Sequence, residues 1–570
     1  MDYNILIGGS AGQGMDTLAA ILERVLKRKG FQIFTVRDYM SRVRGGHNFI
    51  QVRFGNEELT SHRKSVDGII ALNDETIRLH MEDLSENGFV ICDEEISFAD
   101  ERVIRLPLKT EAKASGNVKA MGSTALGTVL KLFDLDMSCV EDVLKLIFAR
   151  QDIATQNMGA LKRGFELLDS RYSIEPADSD GSILISGNEA IALGALAAGC
   201  KFYSAYPMTP STSIMNYLAT KMAEAEVVVE QAEDEISAIN MAIGASYAGA
   251  RSMTGTSGGG FALMVEGLGL SAMLEVPLVI AEIQRPSPTT GFPTRTEQAD
   301  LKFVINASQG EFPRMVIAPR NPEDAFYQTV RAFNLADNYQ IPVILLGDQY
   351  LADSTTTTRP FDFDRVKIER YLSNDDFAGD REYKRYELTP DGISPRIIPG
   401  KVPGKTVLVD SDEHDEWGHI TESAEVRKAM NDKRMRKLEY LKKELQEPDF
   451  LGDGDFETLF VAWGSLHGPV KEALKLLNKT GEKKYAALVF GDVWPLPEKL
   501  LLEKAGKAKA VINIEQNATG QLASLIRECT GIKCDGSILK YDGRPICAEF
   551  IIENIKLILT QKQLFLEQDE

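Results

Sequence analysis

Only six cysteines occur in the 570 residues, Cys92, Cys139, Cys200, Cys529, Cys534 and Cys547, and no two form a Cys-x-x-Cys pair. That scarcity argues against a disulfide framework, a zinc ribbon or an iron–sulfur ligand set on this chain. Positive charge is also short, with 64 Lys+Arg against 84 Asp+Glu and a net charge of −20. Such a surface repels polyanions, so nucleic acid is not an expected partner unless basic residues are concentrated locally. Long apolar runs are missing too. The stretch ending at Leu274 is cut by Glu266 and Glu275, short of the roughly 18 residues that a membrane span needs. The opening Met1-Asp2-Tyr3-Asn4-Ile5-Leu6 lacks a basic n-region, and the expectation is a cytoplasmic chain without a signal peptide.

What is present is the balance of ordinary globular domains, 44% hydrophobic and 26% charged residues. At about 100 to 200 residues per domain, the length sets a prior of roughly three to five domains. Short apolar runs at 4–7, 31–36, 50–54, 68–72, 88–92 and 102–106, with helical patterns such as 15–29 among them, predict a first α/β unit over residues 1–175. A charged, turn-rich linker, 175–181, follows. A second α/β unit, 182–352, opens with a strand at 182–185 and continues at 202–205, 227–229, 251–254, 278–281, 315–318 and 343–346. Strands separated by helical runs imply a parallel sheet. From 353 to 455 the pattern dissolves into a threonine run, prolines and acidic text, and ends on a charged helix, 421–447, expected to be a solvated lever or linker. A third α/β unit, 456–560, carries strands at 458–462, 485–490 and 510–514.

Several loops carry polar chemistry. Gly8-Gly9-Ser10-Ala11-Gly12-Gln13-Gly14 joins a strand to a helix, but its glycines lack dinucleotide spacing and no Lys-Ser/Thr follows. It reads either as a tight turn or as an anion site. Arg37, Arg42, Arg44 and His47 crowd around Gly45-Gly46, a cationic loop in an acidic protein that suits a carboxylate or phosphate, or else is simply solvated. In the second unit, Tyr206-Pro207-Met208-Thr209-Pro210-Ser211, then Thr254-Gly255-Thr256-Ser257-Gly258-Gly259-Gly260, then 284–296 follow three strands. Glu235 begins a helix of small residues between the first two. Ligands of open α/β sheets bind at the carboxyl ends of the strands, so the three loops together read as one wall of a site.

Those residues resemble the pyrimidine-binding domain of the thiamine-diphosphate-dependent 2-oxoacid:ferredoxin oxidoreductases. Gly9 to Gly14 with Ser41 to Asn48 is similar to the family's gamma domain, and the third unit resembles its transketolase-C-terminal-like domain. The fusion of gamma and alpha parts, with Glu413 to His419 in the linker, resembles most the alpha subunits of the 2-oxoglutarate branch. This resemblance implies oxidative decarboxylation of a 2-oxoacid with CoA and ferredoxin, a reaction that also runs in reverse; a pyruvate or other 2-oxoacid enzyme, or a non-catalytic subunit, stays open.

The roles it implies can be set beside the chemistry. Glu235 is the carboxylate expected on the cofactor's aminopyrimidine, where a hydrogen bond favours the tautomer that removes the thiazolium proton; Glu230 and Glu233 are its neighbours and competitors. Tyr206, Pro207, Gly258 and Gly259 are expected around the cofactor. Thr209 and Arg295 are expected on the substrate carboxylate, with Arg285 the alternative cation, because a planar guanidinium meets two oxygens at once. Arg44 and His47 are the residues expected on the second carboxylate of 2-oxoglutarate. Gly452-Asp453-Gly454 with Asn478 has the spacing of a diphosphate and Mg²⁺ motif but follows polar text, and is set aside. Mg²⁺ and a 4Fe–4S cluster are therefore expected on a separate beta subunit, in an assembly of two alpha–beta pairs. His414 and His419 read as part of a polar interdomain loop rather than as metal ligands. Trp494 to Pro497 and Glu515-Gln516-Asn517 take no role other than structural or CoA-proximal.

Overall fold

The computed structural model describes residues 1–41, 45–176, 181–480 and 484–568. Three sheets are divided between two compact units, the first comprising Met1–Ser186, Asp353–Pro360 and Cys547–Phe550, and the second the remainder.

The first unit holds an eight-stranded sheet built from β1 (Asp2–Ala11), β2 (Gln32–Asp38), β3 (Gly45–Gly55), β4 (Val66–Ala71), β5 (Leu84–Asp93), β6 (Val103–Leu106), β7 (Ile183–Ser186) and β14 (Thr355–Thr358), in the order β6-β5-β4-β1-β3-β2-β14-β7. Ile5, Ile7, Val52 and Phe54 point into a core with Leu22 and Leu26 of the helix Met15–Arg28, and Phe133 packs on Tyr3 and Phe54.

Two local readings are corrected here. The strand over 182–185 does not open the second sheet; Ile183–Ser186 pairs antiparallel with β14 at the edge of the first. The threonine run is not irregular, because β-branched side chains favour an extended backbone and β14 pairs with β2 on its other side. The Thr357 hydroxyl accepts from Ile33 N at 2.9 Å and that of Thr356 donates to Ile33 O at 3.1 Å, which adds to the pairing. A strand's own residues show that it is a strand, but its partner here lies some 170 residues away.

The second unit contains β8 (Cys200–Ala205), β9 (Val228–Gln231), β10 (Arg251–Thr256), β11 (Leu278–Gln284), β12 (Met315–Ile317), β13 (Pro342–Asp348) and β18 (Asp492–Trp494), ordered β18-β12-β13-β11-β10-β8-β9. The pairs from β12 to β9 are parallel; β18 runs antiparallel to β12. The third sheet has β15 (Asp449–Leu451), β16 (Thr458–Trp463), β17 (Tyr485–Phe490), β19 (Ala510–Glu515) and β20 (Gly536–Leu539), ordered β15-β17-β16-β19-β20. These two sheets share a core in which Ile239, Phe261 and Leu268, from helices that follow β9 and β10, pack with Trp463 of β16, Phe490 of β17 and Leu522 of the helix after β19. Asn478 bonds both backbone groups of Tyr485 at 3.0 Å, so its amide closes a turn.

The charged helix spans Ala424–Leu441 and is not a solvated lever. Lys433 and Lys437 are almost fully buried, and their ammonium groups donate to the two oxygens of Glu275 at 2.7 and 2.5 Å. Arg385 donates to the Glu275 carbonyl at 2.6 Å. The helix is charged because it carries two cations to one buried anion. Near its start Glu413 accepts from Arg434 and Arg427, while His414 is buried against the Tyr386 ring, 3.9 Å between centroids. Among the described residues, no group of three or more His, Cys, Asp or Glu has the arrangement to hold a metal ion, and no helix is long and apolar enough to cross a membrane.

Candidate active site

Strands β8, β10 and β11 are parallel neighbours, so the loops at their carboxyl ends emerge side by side. The first loop is held rigidly. Asn188 Nδ2 donates to Pro210 O at 2.9 Å and to Ser213 Oγ at 2.8 Å, and Ser211 Oγ donates to Met208 O at 2.9 Å. Arg285, at the end of β11, donates through Nη1 to Thr209 O at 2.6 Å, so it ties the third loop to the first. Burial lowers the pKa of this guanidinium. The side chains of Tyr206 and Thr209 are exposed at the mouth of the sheet, and Pro207 is partly so.

Glu235 is the first residue of the helix Glu235–Tyr247, whose N-cap Asp234 accepts from Ser237 N at 2.7 Å. With Asp234 capping the helix, the Glu235 side chain is free to turn inward, where it is only 3% exposed. Its Oε1 is buried without a donor. Burial raises the pKa of this carboxyl, and a backbone hydrogen bond offsets only part of the loss of water.

The reason for a glycine run now resolves position by position. A side chain on Gly260 would overlap Thr256 Oγ1 and Glu235 Oε1, with its Cβ 2.8 Å from the Glu235 carboxyl carbon. One on Gly258 would overlap the Asp300 carboxylate, whereas Gly259 is exposed and its Cβ would meet Thr289 O at an ordinary 3.6 Å. Gly258 to Gly260 also begin the helix Gly258–Met273, which leaves backbone N–H groups unbonded within the helix at its N-terminus. The loops thus bring together Thr209, Glu235, Thr256, Gly258, Gly259, Gly260 and Arg285. Arg295 lies ten residues beyond Arg285, half-buried, with its N–H donating to Phe292 O at 3.1 Å.

Sequence reasoning missed two features. Gly260 is the glycine that abuts Glu235, and three consecutive glycines gave no means of choosing it. Behind the loops, Glu282, Asp300 and Asp348 are buried carboxyls. Burial, then the charges of Asp300 and Asp348, pushes Glu282 well above the usual carboxylate range, and burial raises Asp300 to about 6. An acidic residue inside an apolar strand, Ile-Ala-Glu-Ile, was the available signal for Glu282.

Other candidates lie in the first unit. Gln13 accepts from Ser10 N at 2.6 Å and donates to Leu72 O at 3.3 Å, and Asn73 donates to Ser10 Oγ, so the glycine loop is closed as a turn by its own side chains. Arg37 does not belong to a free cationic loop: it pairs with Glu23 at 2.9 Å and donates to Asp353 O and Thr355 Oγ1, fixing β14. Arg42 and Arg44 lie outside the described residues. His47 faces His80, Nε2 to Nε2 at 2.8 Å, with Phe49 stacked on its ring; burial and then His80 lower its pKa.

Comparison with known proteins gives one consistent answer. Residues 193–433 match the family described as pyruvate flavodoxin/ferredoxin oxidoreductase, thiamine diP-binding, and residues 4–167 match pyruvate ferredoxin/flavodoxin oxidoreductase. The 2-oxoacid:ferredoxin oxidoreductase subunit alpha of a Sulfolobus species is 32% identical over 97% of this chain and 96% of its own. The 2-oxoglutarate oxidoreductase subunit KorA of Mycobacterium tuberculosis is 29% identical over 99% and 93%. Among solved structures, the 2-oxoglutarate:ferredoxin oxidoreductase from Magnetococcus marinus, with 2-oxoglutarate, coenzyme A and succinyl-CoA bound, superimposes with a TM-score of 0.90. It is 32% identical and covers 98% of this chain and 99% of the other. With relatives of this kind matched over nearly its whole length, the chain belongs to the 2-oxoacid:ferredoxin oxidoreductase alpha-subunit family.

Proposed function

We propose that this subunit acts on 2-oxoglutarate, in the reaction 2-oxoglutarate + CoA + two oxidised ferredoxins → succinyl-CoA + CO₂ + two reduced ferredoxins + H⁺, which is reversible. The observation that carries its cofactor part is Glu235 Oε1, a buried oxygen without a donor whose place a side chain on Gly260 would take. That atom suits a pyrimidine N–H, so the residues fit thiamine diphosphate. When bound, this cofactor supplies the carbon nucleophile and electron sink for decarboxylation. Glu235 would then hold the shared proton at Oε1, and Tyr206 and Pro207 would border the ring, beside the helix N-terminus that Gly258 and Gly259 begin. Thr209 and Arg295 hold the substrate carboxylate. The substrate assignment rests on the 2-oxoglutarate enzymes among the relatives, and the generic 2-oxoacid name at 32% identity supports a broader range as the second reading.

We assign the 4Fe–4S cluster to a beta subunit because this chain's cysteines lack cluster spacing, and Mg²⁺ with it because Gly452-Asp453-Gly454 follows polar text and the Asn478 amide is taken up by Tyr485. Ile236, Met241 and Leu263, on the helices that begin at Glu235 and Gly258, are 41–51% exposed and suit such a partner. Purification from the native cell tests this: a companion chain with cysteine clusters supports it, and a fully active lone chain overturns it. Dye reduction with 2-oxoglutarate against pyruvate tests the substrate. In the same assay Arg44→Ala is expected to raise KM for 2-oxoglutarate about tenfold or more and to spare pyruvate, the size expected for losing a charge-assisted hydrogen bond. Equal effects on both substrates, or none, would remove Arg44 from the site.

The glycines provide an internal control. Gly260→Ala inserts a methyl group between Thr256 and Glu235, an overpacking cost of about 1–3 kcal/mol, and is expected to weaken thiamine diphosphate binding at least several-fold in calorimetric titration. Gly259→Ala has room and is expected to bind within about twofold of the parent.

A further inference from the structure

Gln516 and Asn517, just after β19, bond the loop that carries Arg295, whereas Glu515, the last residue of β19, accepts from Leu522 N and from Trp463. Gln298 N donates to Gln516 O at 2.7 Å, and Gln516 N returns a bond to Gln298 Oε1 at 3.4 Å. Gln516 Nε2 donates to Thr296 O at 3.0 Å and to Arg544 O at 3.3 Å, while its Oε1 accepts from Ile546 N at 3.3 Å. Asn517 Nδ2 donates to Gln298 O at 2.9 Å. Gln298, Gln516 and Asn517 are each at most 2% exposed. A buried amide with its oxygen and both N–H groups engaged has one orientation only, since leaving any of them unpaired is costly.

The other side of the loop is set by Gly543. Thr296 N donates to its carbonyl at 3.4 Å, and its φ of 77° is in the left-handed region. A Cβ there would lie 3.0 Å from Phe292 Cδ2 and 3.2 Å from Arg295 Cβ. By contrast, Pro288 to Phe292 are exposed. The bonds therefore concentrate on the residues just after Arg295.

We propose that Gln516 is a positioning residue for the reaction. From the third sheet, together with Gly543, it fixes the backbone of residues 295–298 and so the place from which Arg295 reaches the 2-oxoacid carboxylate. The proposal rests on the role assigned to Arg295 and adds to it a cause outside the cofactor-binding sheet. It also gives Gln516 and Asn517 a function toward the 2-oxoacid rather than toward CoA.

The test uses the assembled heteromer. Gln516→Glu keeps shape and volume but turns a two-hydrogen donor into an acceptor facing Thr296 O and Arg544 O. KM for the 2-oxoacid is expected to rise about tenfold, equivalent to about 1.4 kcal/mol, with kcat and KM for CoA within about twofold. Lowering the assay to about pH 6 is expected to restore part of the loss relative to the parent, because the carboxyl introduced at position 516 regains one donor when it is protonated. In an Arg295→Ala background, Gln516→Glu is expected to add nothing further. A rise in KM for CoA instead, or the full tenfold effect persisting without Arg295, overturns the proposal. If Arg295→Ala raises KM and Gln516→Glu does not, the positioning role falls while the Arg295 reading stands. If Arg295→Ala has no effect, the Arg295 reading falls and the proposal with it. Gly543→Ala, passed through the same cycle, supplies the result should Gln516→Glu fail to fold.

Discussion

Glu235→Gln in the assembled heteromer is expected to lower turnover by about 10²–10⁴-fold, the usual contribution of a positioned acid–base group. The substitution keeps volume and hydrogen-bonding shape but removes the carboxylate that can hold a proton opposite a pyrimidine nitrogen. Thiamine diphosphate is expected to remain bound within a few-fold, because Gly260 and Thr256 still frame the same space. Turnover within a few-fold of the parent, with the cofactor shown to be bound, would remove Glu235 from the chemistry. The same substitution has a second readout. Burial raises the folded-state pKa of Glu235 above its ordinary 4.5, so between those two values the unfolded chain has released the proton that the folded chain retains. Stability contributed by this group is thus present at low pH and lost as pH rises through the folded pKa. At pH 7 the cofactor-free Glu235→Gln variant is therefore expected to melt above the parent, a site in which function costs stability.

Glu275→Ala is expected to destabilise the second unit by about 3–5 kcal/mol, the cost of leaving buried ammonium groups without their counter-ion. Lys433 and Lys437 meet the two oxygens of this carboxylate with essentially no solvent exposure. Burial opposes the Glu275 charge, but the two ammonium groups outweigh it and hold its pKa well below 4.5. The associated stability is complete above pH 4.5 and is lost as the pH falls through the folded value. Burial lowers Lys433 to about 7, in keeping with a site where two cations share one anion. Chemical denaturation from pH 7 to pH 3 checks the sign: the parent should lose its advantage over Glu275→Gln as the pH falls below 4.5. A Glu275→Ala chain that unfolds within about 1 kcal/mol of the parent would show the cluster to be dispensable.

These two residues also mark where the sequence was and was not legible. Strands such as β4, β10, β11 and β17 were readable because each is a short run buried on both faces and bounded by turns. The loops after β8, β10 and β11 were readable as one wall because parallel neighbours place consecutive carboxyl ends together. Glu235 itself could be chosen over Glu230 and Glu233 only through the resemblance; the structure adds that Glu235 is the one turned inward, while Glu230 and Glu233 are partly or fully exposed. The buried lysines could not be read, since Glu275 stands 158 residues from Lys433 and local text showed only a charged helix. Arg37 misled for the same reason, its partners Asp353 and Thr355 being more than 300 residues away. Gln298 and Gln516 are ordinary polar residues until they are seen paired across 218 positions.

The three residues of β18 govern how this chain can be divided. They leave the third sheet's sequence to pair with β12, and Asp492 receives both Nη groups of Arg331, at 2.6 and 2.8 Å. A gene split anywhere between β14 and β15 would give a first product with β12 as a bare edge and Arg331 without its counter-ion. The cofactor-binding sheet is thus inherited with the sheet that follows it, and any natural or engineered fission that separates the two must bring them back together as a non-covalent pair.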